Sequence, residues 1–586
     1  MSSDAEIRLI NFYVVNTSLG HNEGEDEEKK ILFYYPSEVD LDTQMKNVGL
    51  SEAIIKFSET FNPGQPCEAL HTQKTRQLYL NPEKGYWIVM TVSLPCVTRT
   101  PVNNQQSNDK VPTLVRGEEE VQDRVYLGIL RHAYRTFRLF SGSFVSLVEK
   151  GQVKFLSKAA GDVDDHYYLL RNRLEHFFSS YLSQSLHLNH ADLLEVFQGV
   201  SFLPLDRRSF LRVRCFLSRA EEEVDWVLQK YEKQSPSSTT PLASLFLYND
   251  QLLWSGLNAD ETQVLYRFLV GSLLPAHLEG TELQGGSIPR HGSYPSSSSH
   301  YGRFVTGPSS LCDGAPIGKL PLIFLSPQIP KQSFSEGKSN FGSFNSERSG
   351  NKFKEEPFHL LVYRALSATL CLIISDSYSL TLQDFREIDA ALGPGLTSLA
   401  SQVAETIGGG LSASSPITPS SAHSSPASSS SPASVSPGFA PHLPPPTIHG
   451  SSGPHRFLYF NRLNLAFKSS IHLDNRGVGN VAVSRDILMM LADINADLRG
   501  YPGCYDDIGR SDNQDRNLQK RDHNTSKSVS AEIMMKTYND AWVVGKLSDQ
   551  REFYVVLSPK KGDLIAVNEE VRRLCENQFK CIFFHD

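Results

Sequence analysis

Leu245-Phe-Leu-Tyr-Asn-Asp-Gln-Leu-Leu-Trp254 reads as two short apolar strands about an Asn249-Asp250 pair. Asn and Asp are the side-chain-bearing residues that best tolerate the positive φ of a tight hairpin turn. The pattern returns as Phe457-Leu-Tyr-Phe-Asn-Arg-Leu463, which continues into Leu465-Ala-Phe467. A looser version opens the chain, with strand-like residues 7–16 and 30–36 on either side of an acidic loop at 23–28. Three such hairpins in one chain predict three copies of one unit.

The segments downstream of each hairpin repeat as well. After the first comes a helix with Leu50, Ile54, Phe57 and Phe61 at spacings of four, three and four, which predicts one apolar face turned to the core. Extended segments 67–72, 76–80 and 86–94 and helices 121–149 and 164–181 complete the unit. The second hairpin leads to a helix at 259–274, strands 358–363 and 369–374, and a helix at 382–406. The third leads to a helix at 484–498, strands 531–538, 542–546 and 553–557, and a closing helix at 563–580. Hairpin, helix, three strands, helices is an order that looks like the longin fold. The expected class is α+β: three longin domains, each an antiparallel five-stranded sheet flanked by helices.

At 586 residues the chain has room for about four average domains, so the surplus needs a place. Two tracts rich in Gly, Ser and Pro absorb it, residues 279–355 and 408–456. Too apolar-poor to build a core, they are expected to be disordered, although Pro321-Leu-Ile-Phe-Leu-Ser326 inside the first has strand character. Without them about 150 residues remain per repeat, an ordinary domain size. The expected domains are 1–190, a connecting segment at 191–240, 241–410 with its insertion at 279–355, the linker 408–456, and 457–586. Ser-Pro pairs at Ser415, Ser425, Ser431 and Ser436 are possible phosphorylation sites in a tract whose plainer reading is linker.

Composition excludes several classes. A net charge of −8 gives no overall attraction to nucleic acid or anionic lipid, so either would need a local patch. The eight cysteines form no CxxC pair, which argues against a zinc ribbon, a dithiol centre and a secreted disulfide scaffold and for a reducing compartment. Residues 1–10 carry Asp4 and Glu6 and do not read as a signal peptide, and the longest apolar run, 360–375, is broken by Arg364 and too short to span a bilayer. Membrane contact is expected to be peripheral.

Motifs for chemistry are weak. Arg476-Gly-Val-Gly-Asn-Val-Ala482 has dinucleotide-fingerprint glycines, but no buried strand runs into it, and a glycine turn is the plainer reading. Gly314-Ala-Pro-Ile-Gly-Lys-Leu320 is one residue short of a phosphate-binding loop and has Leu where a hydroxyl is needed. His187 and His190, near Asp192 and Glu195, lack a committed third ligand. No catalytic residue, metal or cofactor is expected. Two basic clusters remain: Arg131, Arg135 and Arg138 on one helical stripe, and Arg207, Arg208, Arg212 and Arg214. Each is a candidate for lipid phosphates or acidic partners, against the plainer reading of a solvated face.

Five segments carry a family likeness: Lys30-Ile-Leu-Phe-Tyr-Tyr-Pro36, Asn47-Val-Gly-Leu-Ser-Glu-Ala53, Leu70-His-Thr-Gln-Lys74, Val200-Ser-Phe-Leu-Pro-Leu-Asp206 and Phe246-Leu-Tyr-Asn-Asp-Gln-Leu-Leu-Trp-Ser-Gly256. In combination they resemble the Ccz-one family of vacuolar-fusion proteins. The resemblance implies the tri-longin subunit of a heterodimer with a Mon-one-type longin subunit, which exchanges nucleotide on a Rab GTPase of the seven class. It further implies cytoplasmic location with peripheral recruitment to phosphoinositide-containing late-endosomal or prevacuolar membrane, and no nucleic-acid partner. In that frame Lys46, Asn47, Lys56, His71, Gln73 and Lys74 are the expected partner and GTPase interface, and the two arginine clusters the expected membrane contact. Rival readings are a longin adaptor or tether that binds a GTPase without exchange, a Hermansky-Pudlak BLOC-type exchange subunit for other Rab proteins, and an NAD-dependent enzyme.

Overall fold

The computed structural model describes residues 6–19, 27–61, 67–99, 113–116, 122–156, 166–184, 186, 188, 197–228, 243–277, 300–326, 355–409, 456–472, 481–500, 530–538, 540–557 and 564–583. The dinucleotide-like glycines, the His187/His190 pair and the Ser-Pro pairs all lie outside the described residues.

The first domain sets β1 (Leu9–Asn16) against β2 (Ile31–Tyr35), then crosses over the sheet through α1 (Leu41–Phe61) to β3 (Ala69–His71), β4 (Thr75–Glu83) and β5 (Tyr86–Ser93). Its sheet order is β2-β1-β5-β4-β3, all antiparallel. A small hairpin, β6 (Cys96–Arg99) with β7 (Thr113–Arg116), precedes α2 (Asp123–Ser141), α3 (Phe144–Leu156) and α4 (Tyr168–Gln184). The helix expected over 121–149 is broken at Gly142, whose φ of 89° closes α2 as its N–H bonds back to the Arg138 carbonyl. Strand alternation gives the sheet two apolar faces. Tyr13, Val15, Tyr79 and Val89 lie under α1, while Phe12, Val14, Leu78 and Met90 pack against Leu130, Phe137 and Phe178 of α2 and α4.

Next come β8 (Val200–Ser201) and α5 (Arg207–Leu228), and then the second domain. That domain consists of β9 (Ala243–Tyr248), β10 (Gln251–Ser255), α6 (Ala259–Phe268, continuing as a π-helical turn), β11 (Gly302–Phe304), β12 (Leu322–Leu325), β13 (Glu356–Ala365), β14 (Ala368–Ser375) and α7 (Leu382–Gly409). Asn249 and Asp250 take φ of 46° and 58°, as the hairpin reading requires. The sheet order is β10-β9-β14-β13, with the fifth position shared by β11 and β12, both paired with β13. Part of the tract expected as disordered insertion therefore supplies sheet. The connecting segment is likewise not a bare linker: Val213, Leu217, Val224 and Val227 of α5 join Phe385, Ile388 and Leu392 of α7 in the second core.

The third domain has β15 (Arg456–Asn461), β16 (Ala466–Ser469), a short parallel pair β17 (Ile471–His472) and β18 (Val481–Ala482), α8 (Arg485–Gly500), β19 (Ser530–Lys536), β20 (Trp542–Ser548), β21 (Arg551–Leu557) and α9 (Leu564–Phe583). Its order, β16-β15-β21-β20-β19, repeats the other two, and β8 adds a sixth strand parallel to β16. Three longin domains with one strand order are thus present.

The domains are locked together. Arg135 of α2 donates to Gln263 of α6, Arg138 pairs with Glu355 beside β13, and Phe140 packs edge-on against Phe268 at 4.8 Å. Phe197 touches Phe460, Phe467 and Tyr554, joining the first domain's core to the third's. Gly199 makes that approach possible, because a Cβ there would sit 2.2 Å from Phe467 Cβ.

Candidate functional site

Helices α1, α6 and α8 occupy the same place in the three domains, between the second and third strands of each sheet. Their outer sides differ. α6 is covered by α2 and has Thr262 through Tyr266 buried, and α8 turns Asp486, Asp493 and Asp497 outward. α1 exposes Leu50 (58%), Phe57 (66%) and Phe61 (73%), with the Phe57 and Phe61 rings in edge contact at 4.8 Å.

This corrects the expected orientation of α1. The side turned to the sheet carries Val48, Ser51 and Ile55, about 120° around the helix from the stripe that sequence spacing singled out. Both sides are apolar enough to satisfy a helical period, so periodicity found a real stripe and assigned Leu50, Phe57 and Phe61 to the wrong side, while Ile54 packs partly buried against the core as expected. The signal overlooked was the second stripe, which has a serine at its centre. That serine is buried because the sheet below it is polar at one point. Ser51 Oγ lies 2.6 Å from the Tyr13 hydroxyl, Gln77 Nε2 donates to both at 3.0 Å, and the Tyr79 hydroxyl donates to Gln77 Oε1. Burial pushes the Tyr79 hydroxyl up to about 12 and Tyr13 higher still. The network fixes the rotation of α1 and so holds the apolar stripe outward.

The expected interface residues divide around this stripe. Lys46 and Lys56 are exposed on α1, and Lys56 Nζ lies 2.6 Å from Glu52, which also holds Lys30 at 2.9 Å. Partial burial opposes ionisation of Glu52, yet bonds from both lysines keep its carboxyl below the usual range. Asn47 is part-exposed, and its Nδ2 donates to the Tyr34 hydroxyl at 2.8 Å. Gln73 and Lys74 are exposed in the β3–β4 turn. His71 lies on the other face of the sheet, 2.6 Å from Asp123 at the start of α2, because β3 alternates and only Leu70 turns toward α1.

The arginine stripe on α2 is divided between two surroundings. Arg135 contacts Gln198, Gln263 and, at 3.3 Å, Asp260, and Arg138 is held by Glu355, so both are committed to the joint between the first and second domains. Arg131 is half-exposed, 3.5 Å from Glu68. On α5, Arg207, Arg208 and Arg212 are exposed beside the exposed Phe210 and Leu211, while Arg214 stacks on Trp254 at 3.6 Å. Gly314 and the residues after it form no helix, so the geometry of a phosphate-binding loop is missing. Among the described residues no helix is long and apolar enough to cross a membrane.

Comparison with known proteins agrees with this architecture. Three family models match: the first longin domain of INTU, CCZ1 and HPS4 over residues 9–142, Intu longin-like domain 2 over 242–393, and Intu longin-like domain 3 over 451–574. Curated relatives include the vacuolar fusion protein CCZ1 homolog of Xenopus laevis, 37% identical over 581 residues, covering 99% of this chain and 97% of the relative. The CCZ1 homolog of Nematostella vectensis is 34% identical over 578 residues, covering 99% and 98%, and that of Dictyostelium discoideum 24% over 580, covering 99% and 98%. Near-complete coverage at this identity, together with three longin domains of one strand order, shows that the chain belongs to the CCZ1 family of vacuolar fusion proteins.

Proposed function

We propose that this chain is one subunit of a heterodimeric guanine-nucleotide exchange factor, paired with a Mon-one-type longin subunit and acting on a Rab GTPase of the seven class. The outward stripe of α1 carries the proposal. Three large apolar side chains in a row on one helix are costly in water and gain from a second apolar surface, and the equivalent helices of the other two domains are covered or polar. Lys46 and Lys56 beside the stripe, with Gln73 and Lys74 in the β3–β4 turn, are the proposed polar contacts to the partner or GTPase. Exchange of this kind needs no proton donor or nucleophile. A factor that binds the nucleotide-free GTPase more tightly than the loaded one weakens nucleotide binding by the same factor, and a thousandfold acceleration corresponds to about 4 kcal/mol of such preference. No cofactor is proposed.

Peripheral recruitment to phosphoinositide-containing late-endosomal or prevacuolar membrane is assigned to α5, where Arg207, Arg208 and Arg212 flank Phe210 and Leu211, a pairing of cations and apolar side chains suited to a lipid surface. The reading is tested by co-purifying the chain with the Mon-one-type subunit and following release of a fluorescent GDP analogue from the GTPase. Faster release by wild type, lost in a Lys56/Lys74 to Ala variant that still co-purifies, supports the placement. Binding without faster release would leave an adaptor or tether.

A further inference from the structure

A bare sheet edge invites pairing with another chain unless something blunts it. In the first domain β2 pairs irregularly with β1 at Val14 and Val15 and is followed by Pro36, and β3 is three residues long. In the second, β11 and β12 have three and four residues, and β10 is met by Phe202 and Leu203. In the third, β16 is covered by β8. β19 has none of these devices. It runs seven residues without proline and pairs with β20 in unbroken register, from Ser530 opposite Ser548 to Lys536 opposite Trp542. Among the described residues no strand pairs with its outer side.

The hairpin end fixes which backbone groups face outward. The Thr537 N–H bonds to the Ala541 carbonyl, so Thr537 faces β20. Alternation along an antiparallel ladder then turns the N–H and C=O groups of Lys536, Met534 and Glu532 away from β20. Side chains alternate across the sheet: Ile533 and Met535 pack partly buried on the α8 side, Met534 packs on the α9 side, and Glu532 and Lys536 are exposed. The strand is complementary to itself. Laid antiparallel on a second β19 about a two-fold axis at Met534, it sets Glu532 opposite Lys536, Ile533 opposite Met535, and Met534 opposite its own copy. Opposite charges and matched apolar side chains are the pairs that stabilise facing strands, and a slip of one residue would carry every side chain to the wrong face. Glu532 already lies 3.1 Å from Lys546 and Lys536 lies 2.8 Å from Asp540, so the added pairs lengthen rows of alternating charge. An arbitrary strand finds no such match, and the same two charges discourage it.

We propose that the outer edge of β19 is a self-association surface: two copies of this chain pair their β19 strands antiparallel about Met534 and join their third-domain sheets into one. The interface is isologous, each copy offering the same strand. It uses neither the α1 stripe nor α5, and so leaves the proposed partner and membrane contacts open. One short strand from each copy makes a small contact, so association is weak and concentration-dependent.

The test is sedimentation equilibrium of the full chain over a range of concentrations. Wild type should form a dimer. Glu532→Lys or Lys536→Glu sets like charges face to face in both halves of the pair and should weaken association about tenfold; the exchange Glu532→Lys/Lys536→Glu should restore it. Met534→Pro removes an outward N–H, leaves the bonds to β20 in place, and should abolish the dimer. The charge variants alter exposed positions and remain informative if Met534→Pro fails to fold. A chain that stays monomeric at every concentration, a dimer untouched by the single charge changes, or an exchange that does not restore it overturns the proposal. So does a dimer dissolved by Phe57→Ser, which would place the contact on α1, or one dissolved by adding the Mon-one-type subunit, which would give the edge to that subunit. A monomer whose Glu532 and Met534 amides resist hydrogen exchange likewise overturns it, since another segment of the same chain would then hold the edge.

Discussion

Replacing Phe57 by Ser separates a partner surface from a core contact. A phenylalanine side chain removes roughly 200 Å² from water when fully covered, and Phe57 leaves 66% of its surface exposed in this chain. A partner seated on α1 can therefore take about 130 Å² of it out of water, worth about 3 kcal/mol at ~25 cal/mol per Å². That is a loss of roughly a hundredfold in affinity. The same change should cost the isolated chain under about 1 kcal/mol, since it removes only the exposed edge contact with Phe61. Ile55→Ala, two residues away but 4% exposed, should do the reverse and lower stability by about 2–5 kcal/mol. Thermal unfolding of each variant, with calorimetric titration of the Mon-one-type subunit, reads both quantities. If Phe57→Ser destabilises the chain as much as Ile55→Ala, the outward orientation of the stripe is wrong. If partner affinity is unchanged, the stripe is not the pairing surface.

Gly199→Ala should lower stability by about 1–3 kcal/mol by overpacking, since the new methyl collides with Phe467; urea unfolding reads the loss, and earlier proteolytic release of the third domain would accompany it. Glu552 is fully buried, pairs with Arg462, lies 3.6 Å from Arg499, and accepts from Asn495 at 2.9 Å and Tyr554 at 2.6 Å. Glu552→Gln should cost about 3–5 kcal/mol by leaving buried guanidinium charge uncompensated, measurable as a lower denaturation midpoint. Burial, with Arg267 and Arg135 nearby, pushes the His132 imidazole down to about 3. A base lowered in the fold contributes stability that is present above its ordinary value near 6.5 and lost as pH falls toward 3. The wild type should therefore lose about 2 kcal/mol between pH 6.5 and 5 from this group, and His132→Gln should flatten that slope in urea midpoints measured across the range.

Much of the fold was legible because its signals are local. Asn249 and Asp250 announce a turn by chemistry alone, and Ile487, Leu491, Ile494 and Leu498 announce α8 by period. Where a residue's role depends on what another domain brings to it, the sequence was silent. Arg135 and Arg138 have the spacing of a surface stripe, and only the arrival of α6 and Glu355 turns them into a joint. α5 reads as a charged connector because its valines and leucines have no visible counterpart until α7 lies antiparallel beside them. α1 has two apolar sides, and period alone cannot choose between them; the choice rests on Ser51 meeting Tyr13 and Gln77 from distant strands.

The short strand β8 reorders the molecule relative to its numbering. Val200 and Ser201 pair with Ala466 and Phe467 of the third sheet, while Phe202 bridges Leu252 and the Leu203 N–H bonds to the Leu252 carbonyl in the second. Two sheet edges are thus sealed by a segment that precedes both domains in the chain. During synthesis Phe202 and Leu203 can meet the edge of β10 as soon as the second hairpin is made, whereas Val200 and Ser201 wait for β16 of the third domain. Once it is in place, the covalent join across residues 410–455 no longer has to hold the two domains together.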